Sequence, residues 1–299
     1  MEQMIKANGI DICYETFGES SNPTVLFVMG LGGQMIGWPA RYMQGVSEAG
    51  YHVIRYDNRD VGLSQKFDDA GAPDFQALVK DKTAGKTPNV PYLLADMAAD
   101  GIGLLDALGI DRAHVIGVSM GGMIVQQMAI DHEPRLLSMT SIMSNTGDPS
   151  LPGPTQEALE ILTTPPPVSD DIEAQITHAM NNRKVIGGDG FVDDDAVRKL
   201  SADIISRQFY PVGTARQRAG IMASSSRTDA LKNIGVPTLV IHGDKDPLVP
   251  VEGGILTAET IPGARLEIMP GMGHAQYPLY QDRVLTLMIE HFDDNKESA

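Results

Sequence analysis

The sequence predicts an α/β fold built on a mostly parallel, doubly wound sheet. Short apolar runs, several of them rich in β-branched residues, alternate along the chain with longer helical patterns. Such runs are typical of parallel strands that are covered on both faces. Regular alternation of strand and helix favours a parallel sheet with helices on each side. The length of 299 residues accommodates one such domain, alone or with an insertion.

The elements follow in chain order. Two short runs separated by Asn8-Gly9 predict an antiparallel hairpin at one edge of the sheet, because Asn-Gly favours tight hairpin turns. These two strands cover residues 4–6 and 10–17. Six further apolar runs predict strands at residues 24–29, 52–56, 113–118, 137–143, 236–242 and 264–269. Helical patterns between them predict helices at residues 38–49, 92–108, 120–131 and 278–292.

The alternation stops within residues 145–235. Proline clusters interrupt this stretch, and helical patterns without convincing strands follow them at residues 172–182, 193–208 and 214–224. We interpret residues 145–235 as a helical cap over one end of the sheet. The cap interrupts a core of residues 1–144 and 236–299, and residues 187–190 (Gly-Gly-Asp-Gly) are a predicted flexible point. The alternative is a series of ordinary helices that cover the sheet.

Composition and charge exclude several classes of protein. With 39 acidic and 23 basic residues the formal net charge is −16. This charge disfavours binding to nucleic acids, to anionic membranes and to highly anionic ligands. The single cysteine, Cys13, precludes an internal disulfide and a cysteine-rich metal site. A signal-peptide pattern and long apolar runs are missing, so we expect a cytoplasmic protein, monomeric or homodimeric. The histidines show no metal-binding spacing, and we expect no metal and no cofactor.

Residues 117–121 (Gly-Val-Ser-Met-Gly) form a G-x-S-x-G pentapeptide. The motif follows a predicted strand and opens a predicted helix, which is the setting that a nucleophile elbow requires. Its glycines permit a sharp turn around Ser119, and the helix start directs backbone N–H groups at an oxyanion forming there. A serine hydroxyl needs a base to become an effective nucleophile. The alternative is a serine in an ordinary structural turn.

A base and an acid are expected further along the chain. His274 lies in a Gly-Met-Gly-His loop between the last predicted strand and the C-terminal helix. Asp244 and Asp246 both lie in the loop that follows the strand at 236–242, and Asp148 is a third candidate acid. The chain order Ser119, Asp246, His274 matches one of the known orders of the serine triad.

Five segments resemble the α/β-hydrolase superfamily, in the group of carboxylesterases, perhydrolases and antibiotic methyl esterases. The chain is similar in particular to the aclacinomycin methylesterase type. The segments are residues 28–33 (VMGLGG), residues 56–64 (YDNRDVGLS), the G-x-S-x-G motif, the GDKDP loop and the GMGH loop. The chain departs from the wider family at Met29, where a His-Gly pair is usual, and at Asp60, where glycine is common.

The resemblance implies an α/β-hydrolase fold with a helical cap and a triad of Ser119, His274 and Asp246. Asp246 is preferred over Asp244 because the family places its acid at the fourth position of the Gly-x-x-Asp loop. The resemblance also implies an oxyanion hole formed by the backbone N–H groups of Leu31 and Met120.

Several residues near these motifs are candidates for substrate binding. Glycines let the backbone approach a ligand closely, and methionine side chains form soft, adaptable pockets. The candidates are Gly30, Gly32, Trp38, Met123 and Met272. Packing in the core is the alternative for Trp38 and the methionines, and an ordinary loop turn is the alternative for the glycines.

Together these features predict a serine hydrolase that cleaves small to medium, neutral, lipophilic carboxylic esters, including methyl esters, through an acyl-enzyme. A small-molecule ester is the predicted partner. Lactonase, C–C hydrolase or perhydrolase chemistry on the same triad is an alternative, as is a ligand-binding module without catalysis.

Overall fold

The computed structural model describes residues 1–167, 171–192 and 195–296. Within these ranges, eight strands form one sheet in the order β1-β2-β4-β3-β5-β6-β7-β8. They are β1 (Gln3–Ala7), β2 (Ile10–Phe17), β3 (Thr24–Val28), β4 (His52–Tyr56), β5 (Ala113–Val118), β6 (Leu136–Ile142), β7 (Thr238–Gly243) and β8 (Arg265–Met269). Strand β2 is antiparallel to both of its neighbours, and every other pair is parallel. The predicted α/β fold with a mostly parallel sheet is confirmed.

The hairpin at the edge of the sheet forms as the Asn-Gly pair predicts. Asn8 and Gly9 have φ angles of 48° and 80°, and Ala7 pairs with Ile10 across the turn. Two consecutive left-handed residues give the type of turn whose twist matches that of the flanking strands.

Helices cover both faces of the sheet. They are α1 (Ala40–Glu48), α2 (Phe75–Thr83), α3 (Leu94–Ala107), α4 (Met120–Asp131), α5 (Gln156–Thr163), α6 (Ile172–Ile186), α7 (Asp195–Arg207), α8 (Pro211–Ala223), α9 (Thr228–Leu231), α10 (Glu252–Thr260) and α11 (Pro278–Asp293). Successive residues of β3 enter opposite apolar clusters, with Leu26 on the side of α3 and α4 and Phe27 on the side of α1 and α11. This alternation explains why the central strands are apolar throughout.

Residues 145–235, which we call the insertion, lie between β6 and β7. Helices α6, α7 and α8 occur close to the predicted positions, and α5 and α9 are additional. The predicted helix at 193–208 begins on residues 193 and 194, which lie outside the described residues. The division of the chain into core and cap stays a prediction.

The two ends of the insertion meet. The backbone N–H of Arg227 donates to the carbonyl oxygen of Thr146 at 2.8 Å, and its guanidinium donates to the carbonyl oxygen of Asn145 at 2.9 Å. The same buried guanidinium reaches the Gln126 side chain on α4 at 3.0 Å. Arg227 therefore ties the start and the end of the insertion to the core.

Across the described ranges, every helix is too short or too polar to span a bilayer.

Candidate active site

Ser119 stands in a sharp turn between β5 and α4. Its φ of 56° and ψ of −120° lie outside the backbone regions that residues other than glycine favour. The neighbouring glycines make this turn possible, since a Cβ on Gly117 would lie 2.0 Å from the carbonyl oxygen of Gly121. A Cβ on Gly121 would lie 2.1 Å from the carbonyl oxygen of Val28. The G-x-S-x-G pattern is therefore explained by backbone contacts on both sides of the serine.

The structure brings Ser119, His274 and Asp246 into one hydrogen-bonded series. The Ser119 Oγ lies 2.9 Å from His274 Nε2, and His274 Nδ1 lies 2.6 Å from Asp246 Oδ2. Ser119 is partly exposed, whereas the Asp246 side chain is fully buried. A ligand can therefore reach the serine while the carboxylate stays shielded from water.

Asp246 is held as a carboxylate. Burial alone raises its pKa, but attraction to His274, the nearby His242 ring and hydrogen bonds from His274 and the Val249 amide outweigh burial and hold the pKa well below its ordinary value. The backbone N–H groups of Leu248 and Val249 donate to Oδ1 at 2.9 and 2.8 Å. The remaining oxygen is thereby left for the histidine.

His242 is a second histidine beside this carboxylate. Its fully buried Nε2 lies 2.8 Å from the Val249 carbonyl oxygen and 3.6 Å from Asp246 Oδ2. Gly254 leaves room for the ring, because a Cβ there would lie 2.5 Å from His242 Nδ1. No motif marks His242, and its position four residues before Asp246 is the only signal in the sequence.

The two other candidate acids lie elsewhere. Asp244 is exposed and accepts a hydrogen bond from the backbone N–H of Gly271 at 2.7 Å. Asp148 is half-buried and accepts from the backbone N–H and hydroxyl of Ser150 at 3.0 and 2.6 Å. The structure thus joins His274 to Asp246 and not to these carboxylates.

Residues 30–33 lie directly beside the serine, and we call them the oxyanion loop after the role that the resemblance implies for Leu31. A Cβ on Gly30 would lie 3.1 Å from Ser119 Cβ. The N–H of Gly33 donates to the Gly30 carbonyl at 3.0 Å, and Gly32 has a φ of 65°, which is the pattern of a type II turn. Leu31 is the second residue of this turn, and Met120 is the first residue of α4.

Helix α8 of the insertion contacts the oxyanion loop. The N–H of Gly32 donates to Gln217 Oε1 at 2.8 Å, and Gln217 Nε2 donates to the carbonyl oxygen of Arg59 at 2.7 Å. Thr214 lies one helical turn before Gln217 and packs against Gly32. A Cβ on Gly32 would lie 2.8 Å from Thr214 Oγ1.

The insertion also contacts the loop that carries the histidine. The N–H of His274 donates to the Ile186 carbonyl oxygen at 2.6 Å, and Gly188 forms a β-bridge with Met272. A Cβ on Gly188 would lie 2.5 Å from the Gly273 nitrogen. The glycine-rich segment that the sequence predicts as a flexible point is thus packed against the histidine loop.

Comparison with known proteins shows the family of the chain. The sequence profile of the alpha/beta hydrolase fold family matches residues 23–279, which is most of the chain. The chain belongs to the α/β-hydrolase family.

Curated relatives of this α/β hydrolase include esterases. Rhodomycin D methylesterase DnrP of Streptomyces peucetius is 27% identical over 294 residues, covering 91% of this chain and 92% of the relative. The 3-oxoadipate enol-lactonase 2 of Acinetobacter baylyi is 28% identical over 272 residues, covering 89% and 87%. The resemblance to the methylesterase type is confirmed, and the homologues are hydrolases.

Solved structures agree on the fold. A meta-cleavage product hydrolase from Pseudomonas fluorescens superposes with a TM-score of 0.77 at 22% identity, covering 98% of each chain. The predicted α/β-hydrolase fold is therefore confirmed.

In this α/β hydrolase the departure at Asp60 has a structural reason. Asp60 has a φ of 67°, a conformation that usually favours glycine. Its buried carboxylate pairs with Arg216 of α8 at 2.8 Å and accepts from the Tyr92 hydroxyl at 2.6 Å. The hydrogen bond with Asp60 raises the pKa of Arg216. The Asp60 carboxylate therefore binds the insertion to the core. The glycine that is common at this position has no side chain to form this contact.

Asp57 forms a second fastening nearby. Its fully buried carboxylate accepts from the backbone N–H groups of Met35 and Leu63, both at 2.8 Å, and pairs with Arg207 of α7 at 2.7 Å. The segment 56–64 thus connects the oxyanion loop region with two helices of the insertion, a role that its sequence does not indicate.

The predicted substrate-binding side chains are mostly in the core. Trp38, Met123 and Met272 are 2%, 9% and 0% exposed and belong to the two apolar clusters. Trp38 packs edge to face on Phe27 with ring centroids 5.0 Å apart. Gly30 and Gly32 lie in the oxyanion loop. Substrate binding by these five residues stays a prediction.

Groups that bind metals do not cluster in the described part of the chain. No set of three or more His, Cys, Asp or Glu side chains there is arranged to hold a metal ion. Cys13 is buried, and burial raises the pKa of its thiol to about 11. A thiol with so high a pKa is a poor nucleophile at neutral pH.

Proposed function

We propose that this α/β hydrolase is a serine esterase that cleaves small to medium, neutral, lipophilic carboxylic esters through an acyl-enzyme. The observation that carries the proposal is the series from Ser119 Oγ through His274 to Asp246, with separations of 2.9 and 2.6 Å. The relatives named methylesterase support it.

In the first half-reaction, His274 Nε2 takes the proton of Ser119 as its Oγ attacks the ester carbonyl carbon. The carbonyl oxygen becomes an oxyanion, which the backbone N–H groups of Leu31 and Met120 stabilise. Asp246 holds Nδ1–H and stabilises the imidazolium that forms. His274 then gives its proton to the leaving alcohol, and an acyl-enzyme remains.

In the second half-reaction, water takes the place of the alcohol. His274 removes a proton from the water as its oxygen attacks the acyl carbon, and Ser119 leaves with the proton returned by the histidine. The products are a carboxylic acid and the restored serine.

Replacement of the nucleophile tests the proposal. We expect Ser119→Ala to lower kcat for p-nitrophenyl butyrate by at least about a thousandfold while circular dichroism and the melting temperature stay near those of the wild type. A fluorophosphonate probe is expected to label the wild type at Ser119 and to leave the variant unlabelled. An unlabelled wild type without esterase activity would favour a ligand-binding module, and a Ser119→Ala variant with normal activity would rule out the mechanism.

Lactone hydrolysis is the second candidate. It is favoured by the relative named 3-oxoadipate enol-lactonase, and it uses the same attack on a carbonyl carbon with a tethered alcohol as the leaving group. A panel of p-nitrophenyl acyl esters, methyl esters and γ-lactones separates the two. Ester kcat/KM values well above those for lactones support the first proposal, and the reverse ranking supports the second.

We further propose that the reaction needs neither metal nor cofactor, because the triad supplies both the nucleophile and the proton transfers. Dialysis against EDTA is then expected to leave the rate of ester hydrolysis unchanged. A rate that falls on dialysis and returns on adding a divalent cation would contradict this.

A further inference from the structure

We infer that Gln217, on helix α8 of the insertion, is a positioning residue for the oxyanion hole. The inference deepens the proposed esterase function and rests on it. The Gln217 side chain is fully buried, and both of its polar ends are bonded to backbone groups of the core. It is joined to Gly32 across a sequence separation of 185 residues.

The first contact fixes the orientation of a peptide group. Gln217 Oε1 accepts from the N–H of Gly32, at 2.8 Å. That N–H belongs to the central peptide of the turn over residues 30–33, the group that rotates when a type II turn becomes type I. The Leu31 N–H is in the peptide just before it. Holding the central peptide therefore keeps the preceding N–H aimed at the position beside Ser119.

The second contact fixes Gln217 itself. Its Nε2 donates to the carbonyl oxygen of Arg59 at 2.7 Å, so the amide cannot rotate without losing one of two buried hydrogen bonds. Arg216, the preceding residue of α8, pairs with Asp60, which follows Arg59. The ion pair of Arg216 thus fixes the position of helix α8 relative to the core directly beside Gln217, which contacts the oxyanion loop.

A third contact lies beside the first. Thr214, three residues before Gln217 and so on the same face of α8, packs against Gly32. Gly32 has no side chain that can shield its N–H, and its left-handed φ leaves that N–H directed towards α8. The insertion therefore acts on the oxyanion loop at one residue from two side chains.

Gln217→Leu tests the inference because leucine has a similar volume and neither hydrogen bond. Loss of a whole oxyanion donor costs about 10²–10³ in kcat, so a misplaced donor is expected to cost about 10–100-fold with KM changed less than about threefold. Affinity for 1-butaneboronic acid, which forms a tetrahedral adduct on Ser119, is expected to fall by a similar factor.

Ser224→Ala is the matched control. The Ser224 hydroxyl, just after α8 and seven residues after Gln217, accepts from the core N–H of Leu94 at 3.1 Å and donates to the carbonyl oxygen of Gly220 at 2.8 Å. This variant is expected to lower the melting temperature while kcat and boronate affinity stay within about twofold of the wild type. Gln217→Asn, whose shorter amide cannot span both partners, is the second variant and is expected to lose kcat as well.

The outcomes separate the two levels of the proposal. A folded Gln217→Leu or Gln217→Asn variant that keeps wild-type kcat and boronate affinity, with only its melting temperature reduced, overturns the positioning role. A wild type that neither hydrolyses p-nitrophenyl butyrate nor reacts with a fluorophosphonate overturns the proposed function instead. Loss of kcat and boronate affinity together, in the variants and not in the control, supports the inference.

Discussion

At the scale of single residues, the site depends on backbone conformations that side chains rarely adopt. Ser119 and Asp60 both have positive φ angles, and both lie where tertiary contacts hold them in place. Such strain persists only where the surroundings outweigh its cost of roughly 1–3 kcal/mol. For Ser119 these surroundings include two glycines whose missing Cβ atoms admit neighbouring carbonyl oxygens.

The two aspartates of the GDKDP loop provide a matched pair of variants. Asp246→Asn is expected to lower kcat about 10³–10⁴-fold, since asparagine favours the wrong tautomer of His274. Asp244→Asn is expected to change kcat less than about fivefold, because its exposed carboxylate accepts from the Gly271 N–H rather than from the His274 ring. Ester hydrolysis by both purified proteins decides the assignment, and a larger loss in Asp244→Asn would reverse it.

Sequence motifs predict the residues whose roles are local. The turn around Ser119 and the loops of Asp246 and His274 each follow a strand, so their place at the edge of the sheet can be read from the chain. His242 and Gln217 carry no such mark. Their contacts arise from packing between segments that are distant in sequence, and a single chain contains no pattern that reports such packing.

At the scale of elements, the strand and helix alternation predicts most of the core but misses helix α2 and, further along the chain, helix α10. Two consecutive glycines, Gly253 and Gly254, lower its helix propensity by roughly 1 kcal/mol each. Tertiary packing explains them: a Cβ on Gly253 would lie 2.8 Å from Asn145 Cβ, and one on Gly254 would meet the His242 ring. Here close approach to the site outweighs local propensity.

The contact between the insertion and the histidine loop predicts a second functional effect. Gly188→Ala is expected to shift the histidine loop, because Gly188 has a φ of 65° and its Cβ would lie 2.5 Å from the Gly273 nitrogen. We expect kcat for p-nitrophenyl butyrate to fall about tenfold or more, since small misplacements of a catalytic base are costly. Initial rates of p-nitrophenyl butyrate hydrolysis by the purified variant measure this loss of kcat.

Gly153→Ala is the control for that variant. It lies in the same insertion, and a Cβ there meets no heavy atom within 4 Å. Its activity and melting temperature are expected to match those of the wild type. Equal activities in the two variants would show that the contact with the histidine loop has no bearing on catalysis.

At the scale of the whole molecule, buried histidines make the free energy of unfolding depend on pH. His114 is fully buried between the rings of Tyr51 and Phe292, and burial lowers its pKa to about 3. Burial also lowers the pKa values of His52 and His291. Between about pH 6.5 and 3, His114 therefore binds more protons in the unfolded chain than in the folded one.

It follows that the free energy of unfolding falls as the pH decreases through this range. One fully shifted histidine contributes up to about 1.4 kcal/mol per pH unit. His114→Asn, whose amide can meet the Ser138 hydroxyl that now lies 2.8 Å from Nδ1, is expected to flatten the slope. Urea unfolding at a series of pH values between 4 and 8 measures the slope, and an unchanged slope would contradict the assignment to His114.

The contacts of Arg227 with both ends of the insertion have a consequence for how the insertion can be exchanged. Because the chain leaves and re-enters the sheet domain at adjacent points, Thr146 and Arg227, a segment of another length can join there without altering the pairing of β6 with β7. Exchange of that segment is therefore compatible with folding where the replacement also pairs the buried carboxylates of Asp57 and Asp60. Exchange also affects activity, because the replacement must supply a group that accepts a hydrogen bond from the Gly32 N–H. Chimeras whose grafted segment lacks such a group are expected to be stable and to have a low kcat.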